Sequence, residues 1–270
     1  MHDHERDDGP PLHLPSAGPD PLPFRTAVEA VLGYARGKQP LWFRAPHERT
    51  GRWVRVAAFG FPRFDALAPN AGPPCDRDVL IAEGLHGRLD RPGWAAVRAT
   101  LDDVVPCVEA AVDRAGGRPL AALPQDEFCV LAEPGTVGAA LRELRERADR
   151  SGHPHHVVAA VHHRYPELVP LSSLRTDRRL WPHLREGDSG PAAQVAREVH
   201  AAAEGFDALS AAVARRLGVH LSPVRLHDLL LWLTAGLRLA AAVELGRGLP
   251  TVVGSEQGSS ADRVLAHGGR

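Results

Sequence analysis

Apolar residues recur at three- and four-residue spacing through most of this chain, and the interruptions divide it into helices. Ala27, Val28, Val31 and Leu32 form one stripe between Phe24 and Ala35, with Pro23 before it and Gly37 beyond its end. Residues 40–75 break the repeat with proline, glycine and aromatics. They predict irregular chain and a short strand near residues 53–59, where Val54, Val56 and Ala58 alternate with Arg55 and Ala57. Asp76 is placed to cap a helix to about His86. Arg91-Pro92-Gly93 opens a short helix over Trp94–Thr100, and a second, Asp102–Arg114, takes Pro106 in its first turn and ends at Gly116-Gly117. Residues 135–150 predict a charged amphipathic helix. Its Leu141 and Leu144 face inward, its Arg142, Glu146 and Arg150 face outward, and Glu143 and Arg147 form an i,i+4 pair. Gly152 ends that helix, Pro154 starts another through Tyr165, and Pro166 stops it. Trp181 and Leu184 belong to a further short helix. Asp188 or Ser189 caps a helix from Pro191, interrupted near Gly205, whose second half runs from Phe206 to Leu217. Ser222-Pro223 is an N-cap followed by proline at the first helical position. The helix it opens continues to about Leu245, with leucine on nearly every side, as a central buried helix does. The expected fold is all-α, one globular domain of about eight or nine helices.

Composition bounds the ends of that domain. Residues 1–22 carry five prolines and five acids against Arg6, and are expected to be a disordered acidic tail. Residues 247–270 carry five glycines and three serines, and are expected to be a flexible second tail, leaving 23–246 as the helical domain. Aromatics are only 5%, so leucine, valine and alanine must build the core. The net charge of −1 excludes a uniformly basic coat, although Leu141–Arg185 holds nine arginines against five acids. Three cysteines, Cys75, Cys107 and Cys129, without CxxC spacing predict reduced thiols, not a disulfide framework or a zinc site. The most apolar window, Val224–Leu245, includes Arg225, His227, Asp228, Arg238 and Glu244, too many charges for a membrane span. A soluble cytoplasmic protein is expected.

Six of the fifteen histidines fall in one window: His153, His155, His156, His162, His163 and His183. His155 and His162 are seven residues apart, as are His156 and His163, which separates each pair by about 10.5 Å along a helix. That spacing is too wide for one shared ion, so no metal and no cofactor is expected. In the same basic window, Arg164, Arg175, Arg178 and Arg179 are candidate phosphate contacts, since a guanidinium fork matches phosphate oxygens. Arg225, Asp228 and Trp232 share one face of the last helix and are expected to form a buried ion pair beside a packed indole. Ser172-Ser173 lie outside any GxSxG context, and Gly116-Gly117 lack the Lys-Ser/Thr of a phosphate loop.

The run from Val157 to Leu171, together with Trp181 and the Arg225-x-x-Asp228-x-x-x-Trp232 helix, resembles an uncharacterised family of high-GC bacterial proteins, a domain of unknown function, over about residues 24–240. The Pro166-x-Leu168-x-Pro170 segment is similar, more remotely, to the helix-hairpin-helix region of DNA glycosylases. That resemblance implies a hairpin on backbone phosphate and a catalytic aspartate in a nearby loop. Here the hairpin stretch Ser151–His155 keeps a single glycine, Ser172-Ser173 stand where the carboxylate belongs, and Asp177 lies too far along. The resemblance therefore implies DNA contact with the catalytic group lost. Three readings follow: a non-catalytic helical module contacting nucleic acid through residues 141–185, a protein–protein interaction or structural protein, and an enzyme gathering separated residues such as Ser172, His227 and Asp228.

Overall fold

The structure, a computed structural model, describes residues 9–36, 41–44, 53–56, 60–131, 134–171 and 173–247. Its helices are α1 (Phe24–Ala35), α2 (Asp76–His86), α3 (Arg91–Ala115), α4 (Val137–Arg150), α5 (Pro154–Arg164), α6 (Leu174–Leu180), α7 (Pro191–Ala201), α8 (Ala203–Leu217), α9 (Pro223–Ala235) and α10 (Leu239–Arg247). The all-α expectation holds, with ten α-helices among the described residues. The expected strand is β2 (Trp53–Val56), which pairs antiparallel with β1 (Leu41–Arg44) so that Trp42 stands opposite Arg55. Ala57 to Phe59 lie outside the described residues.

Glycine joins the two ends of the domain. The helices α1 and α10 cross so closely that a Cβ on Gly33 would stand 1.7 Å from the Ala242 carbonyl oxygen, and one on Gly246 would stand 1.8 Å from that of Glu29. Both collisions are with backbone, so no rotamer change relieves them. This contact also explains why the long helix expected over residues 223–245 is two helices. Gly236 ends α9, Leu237 takes a left-handed φ of 54°, and α10 leaves at 115° to α9. The leucines that seemed to surround one helix serve two: α9 packs against α1, α6, α7 and α8, while α10 lies on α1. No single described helix is long and apolar enough to cross a membrane.

The reverse correction applies to α3, where the two expected helices are one. Pro106 sits inside it, lacks an N–H and crowds the turn before it. Asp102 and Asp103 face solvent there, and Arg147 Nη1 donates to the Asp103 carbonyl at 3.3 Å, so the disturbed turn has a donor.

The expected N-terminal tail is also partly folded. Leu12 and Leu14 are buried, Leu12 and Leu22 exchange backbone hydrogen bonds at 2.9 and 2.8 Å, and Ser16 donates its N–H and hydroxyl to Glu198 at 2.9 and 2.6 Å. The prolines that suggested disorder also reduce the entropy this segment loses on docking. The domain therefore begins by residue 9. Residues 1–8 and 248–270 lie outside the described residues.

At the centre, Arg225 Nε and Nη2 donate to the two carboxylate oxygens of Asp65 at 2.6 and 3.1 Å. The Tyr34 hydroxyl donates to the same carboxylate at 2.7 Å and accepts from Arg225 Nη2 at 3.0 Å. The guanidinium also lies 5.4 Å from the Phe64 ring centre, and His162 stacks on the same ring at 6.0 Å. Burial, with Arg225 adding to it, pushes His162 down to about 3. The neutral ring donates from Nδ1 to the Val169 carbonyl at 2.5 Å.

Two substitutions test this architecture by denaturant unfolding. Gly33→Ala is expected to lower stability toward or beyond the upper end of the roughly 1–3 kcal/mol range for overpacking. Asp65→Ala leaves Arg225 buried without its counter-charge and is expected to cost about 3–5 kcal/mol.

Candidate functional site

The short helix α6 presents the most exposed positive charge in the basic window. Its start is fixed by a reciprocal cap: Ser173 Oγ accepts from Thr176 N at 3.3 Å, and Thr176 Oγ1 accepts from Ser173 N at 2.8 Å. That cap turns Thr176, Asp177 and Leu180 inward and Leu174, Arg175, Arg178 and Arg179 outward. Asp177, the helix's acid, is held inward by a salt bridge from Arg145 of α4. Every charged side chain that α6 leaves exposed is therefore an arginine. None of Arg175, Arg178 and Arg179 has a hydrogen-bond or ion-pair partner among the described residues. Leu174 is 68% exposed on the same helix, and Trp181, which follows it, is 60% exposed. Arg238 comes within electrostatic reach of Arg175; burial and then that like charge lower its proton affinity, and it lies 4.8 Å over the Trp232 ring.

Arg164 does not belong to this face. Its side chain is 3% exposed, and Nη1 donates to both oxygens of Asp78 at 3.3 and 3.2 Å, while Nη2 reaches the Gly72 carbonyl. Asp78 also accepts from Cys75 N at 2.8 Å at the start of α2, so Arg164 ties α5 to α2 inside the core. Pairing removes further charge from the segment: Arg147 bonds Glu143 at 2.5 Å, as the sequence predicts, and Arg145 takes Asp177.

The expected Arg225–Asp228 pair is corrected in the same way. Three residues amount to 300° of helical turn, so the two side chains leave α9 about 60° apart and reach different neighbours. Arg225 reaches Asp65, whereas Asp228 Oδ2 accepts the Leu171 N–H at 2.6 Å. Trp232 packs edge-on against Tyr34 at 6.3 Å between ring centres.

The histidines separate as well. His162 and His163 are buried, with His163 Nε2 at 3.2 Å from the Leu67 carbonyl. His155 and His156 meet His86 of α2 at 5.6 and 5.5 Å between ring centres, and His153 meets His156 at 6.1 Å. Among the described residues no three His, Cys, Asp or Glu side chains are arranged to hold a metal ion.

Of the enzymatic constellation, His227 and Asp228 turn to different partners. His227 Nε2 faces Glu198 at 2.7 Å, Asp228 faces Leu171, and Ser172 lies outside the described residues. A grouping that sequence spacing does not reveal lies on a groove of about 790 Å³ beside α8. There Ser210 Oγ is 3.2 Å from His220 Nδ1, and His220 Nε2 is 3.8 Å from Glu167. The Ser210 hydroxyl donates its one proton to the Leu221 carbonyl at 2.7 Å, so it anchors the turn between α8 and α9 and is not poised as a nucleophile.

Asp228 itself borders a cavity of about 40 Å³, shared with Arg145, Thr176 and Pro170. Burial pushes its carboxyl up to about 7, against the pull of His227, Arg225 and the Leu171 N–H. Between about pH 4 and 7 the native state holds a proton that the unfolded chain has released. The stability from that proton is complete below the unfolded value of 3.8 and is lost as pH rises through about 7. Asp228→Asn keeps an acceptor for Leu171 and removes the titration. Its unfolding free energy is expected to exceed the parent's at pH 8 by on the order of a few kcal/mol, and to converge with it near pH 4. No protein-family model, curated protein or solved structure matches this chain.

Proposed function

We propose that this protein binds the phosphate backbone of nucleic acid through the exposed face of α6. The observation that carries the reading is the set of three guanidinium groups, Arg175, Arg178 and Arg179, unpaired among the described residues on a helix whose acid is turned inward. An arginine held in an ion pair has little left for a ligand, whereas these three retain their full donor sets. Trp181 beside them offers a ring face on which a base of a single strand can stack. The chain's overall balance of −1 makes this a local contact that salt weakens steeply. A helix-hairpin-helix kinship belongs to the same proposal. Its support is the turn between α4 and α5, where Gly152 takes a φ of +75°. The three unpaired cysteines fit a reducing cytoplasm.

A second reading, a protein partner, is favoured by the exposed Leu174 and Trp181 on the same surface. Salt dependence separates the two. Anisotropy of a labelled oligonucleotide, measured across salt concentration, is expected to give a linear log K against log salt. The triple variant Arg175→Ala/Arg178→Ala/Arg179→Ala is expected to flatten that slope by about 2 to 3, at roughly 0.7–0.9 per phosphate contact, with unchanged thermal unfolding. An unchanged slope, or no binding at low salt, overturns the reading.

A further inference from the structure

Beyond the C-terminal end of α6 lies an open groove of about 570 Å³, walled by the N-terminal segment on one side and by the turn after α6 on the other. Arg178 and Arg179 enter it from α6, His13 from the N-terminal segment and His183 from the turn, with Pro15 and Pro182 among the remaining lining residues. Two guanidinium groups and two imidazoles thus share one concavity, and among the described residues no carboxylate lines it. Glu198 lies behind Ser16, where Ser16 N, Ser16 Oγ, Gln194 Nε2 and His227 Nε2 surround its carboxylate at 2.6–2.9 Å.

Both walls are fixed before any ligand arrives. Ser16 ties the N-terminal wall to α7 through Glu198. On the other side Arg197 Nη2 reaches the His183 carbonyl at 3.3 Å while pairing with Asp188 at 2.7 Å. Prolines in the lining have no N–H to offer, and Ser16 and Gly18 spend theirs on Glu198 and the Leu14 carbonyl, so recognition falls on the four arginine and histidine side chains.

We infer that this groove takes a terminal phosphate monoester of a nucleic-acid strand, either end, while the ridge of Arg175 follows the strand away from it. This rests on the proposed nucleic-acid contact and deepens it. An internal phosphodiester carries one charge and has sugar on both sides, so it suits a convex ridge. A terminal phosphate carries about −1.5 to −2 at neutral pH, exposes three acceptor oxygens and has chain on one side only. It matches a concave site with two arginine forks and two further ring donors.

The test uses the full chain and oligonucleotides of one sequence bearing a 5′-phosphate, a 3′-phosphate or hydroxyls at both ends. A phosphorylated end is expected to bind about ten-fold more tightly than the hydroxyl-ended strand, the scale of one charge-assisted contact. The 5′ and 3′ arms report which end enters. His13→Ala/His183→Ala is expected to reduce that preference and keep hydroxyl-end binding, which also reports that the variant is folded. Arg175→Ala is expected to weaken all three strands alike. Equal affinity for all three strands overturns the groove assignment and leaves the backbone contact standing. A preference undiminished in the double histidine variant also overturns it, and no binding of any strand at low salt overturns both readings.

Discussion

Moving a guanidinium and a carboxylate out of water costs several kcal/mol per ion, and the loss is recovered only where geometry is tight and the remaining donors are used. Arg225 and Asp65 meet that condition. Their bond is two-pronged, Tyr34 completes it from α1, and the rings of Tyr34 and Phe64 flank the guanidinium. The cluster joins α1, the chain before α2, and α9, and His162 extends it to α5 through Phe64. Because α9 is held there by Arg225, its other faces are free to receive α6 and α7. The orientation of α6, and with it the direction of the exposed arginines, follows from a charge pair whose side chains are almost wholly buried.

What could be read from sequence was what lies within a few residues. The Ser222 cap of α9, the Glu143–Arg147 pair and the first helix depend on neighbours along the chain, and each stands as predicted. Asp65 stands 160 residues from Arg225, and Asp78 stands 86 from Arg164. Periodicity holds no information about such partners, so spacing alone places Arg164 on a surface it does not reach and Asp228 beside an arginine that bonds elsewhere. The helix α6 has no apolar periodicity to betray it, because it is seven residues long and one of its two leucines faces solvent. The Ser173-x-x-Thr176 cap was its legible signal.

Counting charges along a segment also proved a poor guide to available charge. Residues 141–185 carry nine arginines, yet Arg145, Arg147 and Arg164 are consumed by carboxylates, and only on α6 do three exposed arginines stand together. The N-terminal segment matters for the same reason. By supplying two of the donors on Glu198, it keeps that carboxylate from opposing an anion in the groove next to it.

The glycine crossing of α1 and α10 has a consequence for synthesis. Ten of the twelve residues of α1 are buried, and the surface they bury against α10 does not exist until more than 200 further residues have been added. At about 5–20 residues per second that is on the order of 10–40 s on the ribosome. Through that interval one of the most apolar segments of the chain has emerged without its main partner. The nascent protein thus has a built-in need for shielding around α1, and α10, the last of the described helices to leave the exit tunnel, is the one that covers it.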